Sequence, residues 1–324
     1  MKKCTSFLLL AFCLGALVAI SAAEVSFEPG WAKAAFASFV KHYWSTSDRY
    51  LLNQYPSNGQ ATQYWTAAQG FDTLIDAVRL YPTDQYYRSL LDAFYETQDK
   101  IGWLRSYYDD ENWMGMALVR AYEVTHDRRF LDKAVFLWKD ITGAWDTSCC
   151  GNIPGGNWWD KQHTQKATAS NAGPVILSLM LHSHFPTDRS YSAFAEKVYH
   201  FWLEHMVNPS TVGDAAVLFD GTNSGCQGDC EQFKGPAFRY LTALYHALAK
   251  QGAHAPTSGP SAGQIHEFLK ANVDTMWAKA RNPTLNLFSV DWAGPAPVPN
   301  PSAPVYQAQQ NAATMAQLLF ASNF

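Results

Sequence analysis

Three segments decide the fold: YPTDQYYRSLLDAF (residues 81–94), VTHDRRFLDKAVFLW (124–138) and FPTDRSYSAFAEKVYHFW (185–202). Each contains an aspartate, Asp84, Asp127 or Asp188, with an aromatic side chain three residues later. In each segment one helical pattern ends, a short polar turn follows, and Thr83, Asp127 or Thr187 can cap the next helix. The spacing of the copies suits two helices plus a loop of varying length, which predicts a repeated helical hairpin.

Helical periodicity continues over most of the chain. Apolar residues recur three and four positions apart, and the sustained alternation that is typical of strands is missing. The segments with this period are 31–44, 71–81, 86–104, 113–124, 130–145, 172–185, 192–206, 238–250, 265–277 and 306–320. The chain is therefore predicted to be all-α. Hairpins that close into a ring would form an (α/α) toroid, with inner helices around a central cleft.

Three stretches interrupt the helical pattern, and all are rich in polar residues, glycine and proline. They are WDTSCCGNIPGGNWWDKQHTQ (145–165), FDGTNSGCQGDCEQFKG (219–235) and SVDWAGPAPVPNPSAPV (289–305). We expect them to surround one mouth of the cleft, because loops held by a rigid scaffold usually carry binding and catalytic residues. No stretch has the composition of an interdomain linker, so residues 24–324 are predicted to form a single domain.

The composition favours an uncharged partner. The chain has 324 residues, a formal net charge of -4 and no cluster of lysine or arginine, which argues against nucleic acid or an anionic membrane as a partner. Aromatic residues make up 15% of the chain, and flat rings with a polar edge stack well on the C–H faces of sugars. Most of them are nevertheless expected in the core. The sequence lacks the motifs of phosphate-binding loops, dinucleotide folds, hydrolase nucleophile elbows and zinc proteases.

The first residues have the pattern of a secretory signal peptide. Two lysines precede an apolar run that ends in small residues, and cleavage is expected after Ala23, so residues 1–23 are excluded from the fold. The run is short for a membrane span, and the C-terminal segment MAQLLFASNF (315–324) is too short for a removable anchor signal. The protein is expected to be secreted, without a membrane anchor.

Four cysteines follow the signal peptide, namely Cys149, Cys150, Cys226 and Cys230. An even number of cysteines in an exported protein favours disulfide bonds, and all three pairings are open. A zinc site is the competing interpretation. Because neither pair has a histidine at ligand spacing, disulfides are favoured and no metal is expected.

Two adjacent aspartates, Asp109 and Asp110, precede an amphipathic helical pattern, and Glu111 follows them at once. One interpretation is structural, because acidic residues in a first turn complement the helix dipole. The other is catalytic, because an aromatic frame of the kind found around sugar-binding clefts surrounds the pair. This frame consists of Trp103, Tyr107, Tyr108 and Trp113.

Cleavage of a glycosidic bond needs two carboxyl groups, one to protonate the leaving oxygen and one to attack or stabilise the anomeric carbon. Asp109 and Asp110 can fill both roles, and at a helix start the leading residue is expected not to be helical yet, so that it can turn toward its neighbour. Close packing would also separate their acidities, because one anion keeps the other carboxyl protonated. The adjacency is therefore a workable catalytic arrangement.

Four segments carry a family resemblance: YYDDENWMGMALVRAYEVTHDRRFLDKA (107–134), CGNIPGGNWWD (150–160), CEQFKGPAFRYL (230–241) and FSVDWAGP (288–295). Together they resemble glycoside hydrolase family 76, the endo-α-1,6-mannanases and their fungal cell-wall relatives. They stand in the family's order and span almost the whole mature chain. The first is the most specific, because it combines the double aspartate with an aromatic-rich helix.

The resemblance implies an (α/α)6 toroid, or six-hairpin barrel, and retaining cleavage of α-1,6-linked mannose without a cofactor. Asp109 would be the nucleophile and Asp110 the general acid/base. The residues expected to contact the mannan are Tyr108, Trp113, Trp158, Trp159, Asp160, Asn171, Asp291 and Trp292. Arg239 also matches a family segment and is expected to form a structural ion pair. The segment QKATASNAG (165–173) departs from the family, with Ala167 in place of an asparagine.

The expected function is that of a secreted, monomeric endo-α-1,6-mannanase whose partner is α-1,6-mannan or a mannooligosaccharide. Two alternatives stay open. In the first, a second sugar chain takes the place of water, and the protein is a cell-wall mannan transglycosidase. In the second, the aspartates only hydrogen-bond sugar hydroxyls, and the protein binds mannan without cleaving it.

Overall fold

The computed structural model describes residues 30–149, 154–206, 234–251, 261–289 and 306–307. Within these ranges the chain forms nine α-helices and one π-helical turn. The helices are α1 (Gly30–Tyr43), α2 (Tyr64–Leu80), α3 (Gln85–Ile101), α4 (Tyr108–Thr125), α5 (Arg128–Thr142), α6 (Ala169–His184), α7 (Arg189–His205), α8 (Lys234–Gln251) and α9 (Ala262–Thr275), and the π-helical turn is Met276–Ala280. None of the helices in this part of the chain is long and apolar enough to cross a membrane.

The helices pair as hairpins, as the repeated motif predicts. Contacts join α2 to α3, α4 to α5, α6 to α7 and α8 to α9. The first helices of successive hairpins also pack together, α2 on α4 and α4 on α6. This pattern places the first helix of each hairpin on an inner ring and the second helix outside it.

The connections differ between the two ends of the hairpins. The turns within the hairpins α2–α3, α4–α5 and α6–α7 are short, at residues 81–84, 126–127 and 185–188. The connections from an outer helix to the next inner helix are longer, at residues 102–107 and above all 143–168. In these three hairpins the longer connections therefore gather where the inner helices begin.

The N-caps of α3, α5 and α7 are the repeated aspartates. The side chains of Asp84, Asp127 and Asp188 accept hydrogen bonds from the backbone N–H two residues later, at 3.0, 3.1 and 2.9 Å. The predicted N-cap is confirmed at Asp127. The predicted N-caps Thr83 and Thr187 are wrong, because in those two copies the helix begins one residue later than expected. The aspartate at the same place in every copy of the motif is thus the residue that starts α3, α5 and α7.

The core fills the space between inner and outer helices. Phe71 of α2 stacks on Phe94 of α3 with ring centroids 4.6 Å apart, and Phe130 of α5 approaches Phe71 at 6.1 Å. All three rings are fully buried. Burial of each ring stabilises the fold by about 1.5–3 kcal/mol.

Two glycines let the inner helices α4 and α6 approach closely. A Cβ atom added to Gly115 would lie 2.8 Å from a methyl carbon of Leu177. A Cβ atom added to Gly173 would collide with the side-chain amide of Asn112. In a close-packed interior neither position has room for a larger residue.

An ion cluster joins three inner helices. Arg239 of α8 lies 2.9 Å from Asp76 and 3.4 Å from Asp72, both on α2, and Arg120 of α4 pairs with the same two aspartates. We call Asp72, Asp76, Arg120 and Arg239 the inner-ring ion cluster. The expected structural ion pair of Arg239 is therefore confirmed.

Four short strands complete the described part of the chain. β1 (Trp44–Ser45) pairs with β2 (Tyr50–Leu51), and β3 (Gln54–Tyr55) pairs with β4 (Tyr306–Gln307), both antiparallel. The helix predicted over 306–320 is wrong at its start, because these two residues satisfy their backbone groups on another strand, which a local pattern does not show. The rest of that predicted helix lies outside the described residues.

Candidate active site

The two adjacent aspartates lie inside the first turn of α4. The helix begins at Tyr108, and its N-cap is Tyr107, whose side chain makes no capping hydrogen bond. The prediction that the leading aspartate is not yet helical is therefore wrong. Asp109 and Asp110 are both half-buried and lie at the helix end that carries partial positive charge.

The start of α4 is held by the loop that contains the two tryptophans. We call residues 154–168 the tryptophan loop. The N–H of Tyr108 donates to the carbonyl of Trp159 at 2.9 Å, and the N–H of Lys161 donates to the carbonyl of Ser106 at 2.9 Å. One N–H of the first helical turn is thus satisfied by this loop instead of by a capping side chain. This explains why the helix starts earlier than its amphipathic pattern predicts.

The two tryptophans of the loop have different environments. Trp158 is 6% exposed, its indole N–H donates to Asp146 at 3.1 Å, and its ring stacks on His163 at 4.8 Å. Trp159 is half-buried, and its ring lies 4.6 Å from that of Tyr107. Trp158 anchors the loop in the interior, whereas Trp159 keeps part of its surface exposed next to Tyr107, the N-cap of α4.

The pair of glycines before the tryptophans has a conformational reason. Gly155 and Gly156 have φ angles of 102° and 86°, which residues other than glycine rarely adopt. A Cβ atom on Gly155 would lie 2.9 Å from Trp145, and one on Gly156 would collide with Phe201. A larger residue at either position would strain the backbone and displace one of these rings.

Asp160 and Asn171, both expected to contact mannan, are buried and hold the tryptophan loop in place. The carboxylate of Asp160 accepts the N–H of Thr164 at 2.9 Å and also its hydroxyl. The side chain of Asn171 accepts the N–H of Asn157 at 2.7 Å and donates to its carbonyl at 3.1 Å. All hydrogen bonds described here for Asp160 and Asn171 have partners within the protein, and their contact with sugar stays a prediction.

The aromatic frame divides into core and surface. Trp103 is buried, with its indole N–H on Asp99 at 2.6 Å, and Tyr108 is buried as well. Trp113 is half-buried against the core. Tyr107, which is 39% exposed, completes a surface pair with Trp159. Tyr107 was in the predicted frame but not among the predicted sugar contacts.

Tyr64, at the start of α2, lies beside the acidic residues of α4. Its hydroxyl donates to the carbonyl of Trp103 at 2.8 Å, and the guanidinium of Arg105 stacks on its ring at 4.7 Å. Burial raises the pKa of Tyr64 well above its ordinary value, and the charges of Glu111 and Asp110 raise it further. Tyr64 is therefore a neutral hydroxyl group at neutral pH.

For Glu111 the sequence indicated only the role of an acidic residue in a first helical turn. Its side chain is completely buried, and one of its oxygens accepts the N–H of Arg105 at 2.6 Å and the ammonium of Lys161 at 2.9 Å. Burial raises the pKa of Glu111 to about 8, and a hydrogen bond with Asp140 adds to this. An acidic residue in a first turn is normally a solvated partner of the helix dipole, so its sequence position carried no signal of burial.

Five of the predicted site and cysteine residues lie outside the described part of the chain. They are Cys150, Cys226, Cys230, Asp291 and Trp292. Their predicted roles in disulfide bonding and in lining the cleft stay predictions.

The sequence model of glycosyl hydrolase family 76 matches residues 30–251, which include the aspartate pair and the tryptophan loop. The chain belongs to glycosyl hydrolase family 76. The resemblance carried by the double aspartate and the tryptophan loop is thereby confirmed. No curated protein sequence matches the chain significantly.

Solved structures, among them proteins of family 76, share the fold. An inactive variant of the α-1,6-mannanase GH76A of Salegentibacter sp. HEL1_6, in complex with α-1,6-mannotriose, is 18% identical with a TM-score of 0.73, over 90% of this chain and 98% of that chain. The mannosidase Bt3792 from Bacteroides thetaiotaomicron is 16% identical with a TM-score of 0.65, over 91% and 98%. Dfg5 from Chaetomium thermophilum, in complex with glucosamine, is 15% identical with a TM-score of 0.65, over 90% and 88%. The predicted (α/α)6 toroid is confirmed.

Proposed function

We propose that this family 76 protein is an endo-α-1,6-mannanase that uses Asp109 and Asp110 as its catalytic pair. The observation that carries the proposal is the position of both carboxyl groups, half-buried in the first turn of an inner helix. In the inactive Salegentibacter variant two adjacent aspartates are replaced by asparagine, and that variant holds α-1,6-mannotriose. This supports the same role for the adjacent pair of this chain.

The proposed reaction is a double displacement. The carboxylate of Asp109 attacks the anomeric carbon of a mannose residue, and the bond to the leaving oxygen breaks as Asp110 gives that oxygen its proton. Asp110, now a carboxylate, takes a proton from water, and the water oxygen attacks the anomeric carbon and releases Asp109. Two displacements at one carbon restore its configuration, so the α-anomer is the first product.

The surface pair of Tyr107 and Trp159 is the proposed platform for a sugar ring. Tyr107 is 39% exposed and Trp159 is half-buried, both at the start of the helix that carries the aspartates, and an aromatic face suits the C–H surface of mannose. The buried Trp158 holds the tryptophan loop in place through its hydrogen bond to Asp146, and thereby fixes the neighbouring Trp159.

Export as a monomer is part of the proposal. The N-terminal pattern of residues 1–23 supports secretion. Cys149 takes part in a disulfide bond, which supports an oxidising compartment, because such bonds rarely persist in the cytosol.

The test measures reducing ends released from linear α-1,6-mannan by the mature protein and three variants. We expect Asp109→Asn and Asp110→Asn each to lower the rate by about a hundredfold or more. Asp132→Asn, on the exposed face of α5, is the matched control and should keep the wild-type rate. Proton NMR of the first product distinguishes retention, which gives the α-anomer, from inversion.

Two outcomes would contradict this function. Products longer than the substrate would show that sugar intercepts the intermediate, as in a transglycosidase. Binding of mannan without any release, unchanged in both asparagine variants, would show that the aspartates are not catalytic.

A further inference from the structure

A cluster of three charged side chains lies directly behind the proposed catalytic pair. We call Glu111, Asp140 and Lys161 the Glu111 cluster. The ammonium of Lys161 lies 2.9 Å from Glu111 Oε1 and 2.8 Å from Asp140 Oδ2. Because Glu111 also accepts the N–H of Arg105, the cluster links α4, α5, the segment before α4 and the tryptophan loop.

The cluster contains two carboxyl groups and a single ammonium. If both carboxyl groups were ionised, a net negative charge would be held where the side chain of Glu111 has no access to solvent, which is costly. The second oxygen of Glu111, Oε2, is buried and receives no hydrogen bond from a donor in the described part of the chain. A proton on Glu111 removes this charge and provides the hydrogen bond to Asp140.

The surroundings favour the protonated form. Besides Asp140 and Lys161, Tyr64 of α2 and Tyr108 of α4 interact electrostatically with Glu111, and the backbone of Arg105 donates a hydrogen bond to it. The pKa of Tyr108 is raised, first by burial, so it is neutral like Tyr64. The guanidinium of Arg105 stacks on Tyr64, and its N–H, not its charge, is what Glu111 accepts. Lys161 is thus the cation with which Glu111 pairs among the described residues.

We propose that Glu111 is a positioning residue that carries a proton shared with Asp140, and that loss of this proton at alkaline pH releases the first turn of α4 from the tryptophan loop. The inference rests on the proposed function, because that turn carries Asp109 and Asp110. It is supported by the raised pKa of Glu111, about 8, which burial and the hydrogen bond with Asp140 produce. The activity on mannan should therefore decline as pH rises through this range.

The variant Glu111→Gln mimics the protonated acid. Its amide oxygen can accept from Arg105 and Lys161, and its amide N–H can donate to Asp140. We expect it to keep the activity measured near neutral pH and to move the alkaline midpoint upward by about one pH unit or more. Glu111→Ala, which cannot make these bonds, should lower kcat by about tenfold to a hundredfold, because a small misplacement of catalytic groups is costly. Asp132→Asn should leave the pH profile unchanged.

Two measurements test the shared proton without using activity. The side-chain carboxyl carbon resonance that Glu111→Gln removes should titrate near pH 8 in ¹³C NMR spectra of the wild type. The thermal unfolding temperature of the wild type should fall relative to Glu111→Gln as pH rises toward 8. The reason is that a carboxyl group with a raised pKa in the folded state contributes stability at low pH, and this contribution is lost as pH rises to the folded value.

The outcomes separate the two levels of inference. A Glu111 resonance that titrates near the ordinary glutamate value overturns the shared proton, whatever the activity. A Glu111 resonance that titrates near pH 8, together with identical pH–activity profiles for the wild type and Glu111→Gln, overturns the positioning role. A wild type that does not cleave mannan overturns the proposed function, and the cluster is then decided by the NMR titration and the unfolding profile.

Discussion

Replacing Arg239 with methionine should unbalance the inner-ring ion cluster. The substitution keeps an unbranched side chain but removes the guanidinium that lies 2.9 Å from Asp76. The side chain of Asp76 is 0% exposed, so water cannot replace the lost partner. Removal of one partner from a buried pair costs about 3–5 kcal/mol, because the remaining charge stays buried.

The expected loss converts into a shift of the unfolding temperature. A domain of about 300 residues unfolds with an entropy of roughly 0.6 kcal/mol/K, so the shift should be about 5–8 °C in differential scanning calorimetry. The matched control is Arg88→Met on α3, whose side chain is 28% exposed and pairs with Asp92 and Asp127. A pair of this kind is worth about 1 kcal/mol or less, which shifts the transition by no more than about 2 °C.

A double variant tests whether charge balance is the cause. Combining Asp72→Asn with Arg239→Met leaves Asp76 paired with Arg120 at 2.5 Å and restores neutrality. The double variant should recover at least about 1 kcal/mol relative to the sum of the single losses. Additive losses, or a single loss no larger than that of the Arg88 control, would refute the reasoning.

The pH dependence of the same variant gives an independent check. Burial raises the pKa of Asp76, but Arg120 and Arg239 outweigh it and hold the pKa below its ordinary value. A lowered pKa contributes stability that is present above the ordinary value of about 3.9 and lost as pH falls through the folded value. The difference in unfolding temperature between wild type and Arg239→Met should narrow on acidification below about pH 4. A difference that does not change with pH would point to packing instead.

Two further predictions concern the tryptophan loop. Gly156→Ala should lower stability by about 2–4 kcal/mol in thermal unfolding, because a Cβ atom there strains the backbone and collides with Phe201. The control is Gly59→Ala, at a positive φ with open space around it, which should cost about 1–2 kcal/mol. Equal losses would contradict the steric explanation. Trp159→Ala should raise KM for mannooligosaccharides by about tenfold, as for a loss near 1.4 kcal/mol, with little change in unfolding temperature. Trp158→Ala should instead destabilise the protein by about 3–5 kcal/mol. A large loss of stability in Trp159→Ala and a raised KM in Trp158→Ala would show that Trp158 is the sugar contact and Trp159 the anchor.

The hairpins were predictable from the sequence because the outer helices have one polar and one apolar face. The pattern placed the start of α3 within one residue and that of α5 within two. The inner helix α2 was predicted to start at Phe71 but begins at Tyr64. Residues 64–78 are buried on all sides, so this helix has no polar face to show a period.

The candidate site was predictable where its residues are adjacent in sequence. Asp109 and Asp110 were found because two neighbouring carboxylates beside aromatic residues are unusual. The contacts of Glu111 with Asp140 and Lys161 join residues that are far apart in the chain, and local patterns carry no information on them. Likewise Trp158 and Trp159 are neighbours of the same type, and only the folded loop shows which one is buried.

The unequal connections at the two ends of the hairpins have an evolutionary consequence. Turns such as 126–127 leave no slack, so an insertion there would separate an inner helix from its outer partner. Connections such as 143–168 begin and end on helices that are already fixed by packing, and added length there costs little free energy. Lineages that share this scaffold can therefore lengthen or exchange the segments that precede inner helices at little cost in stability, so new specificities should arise there.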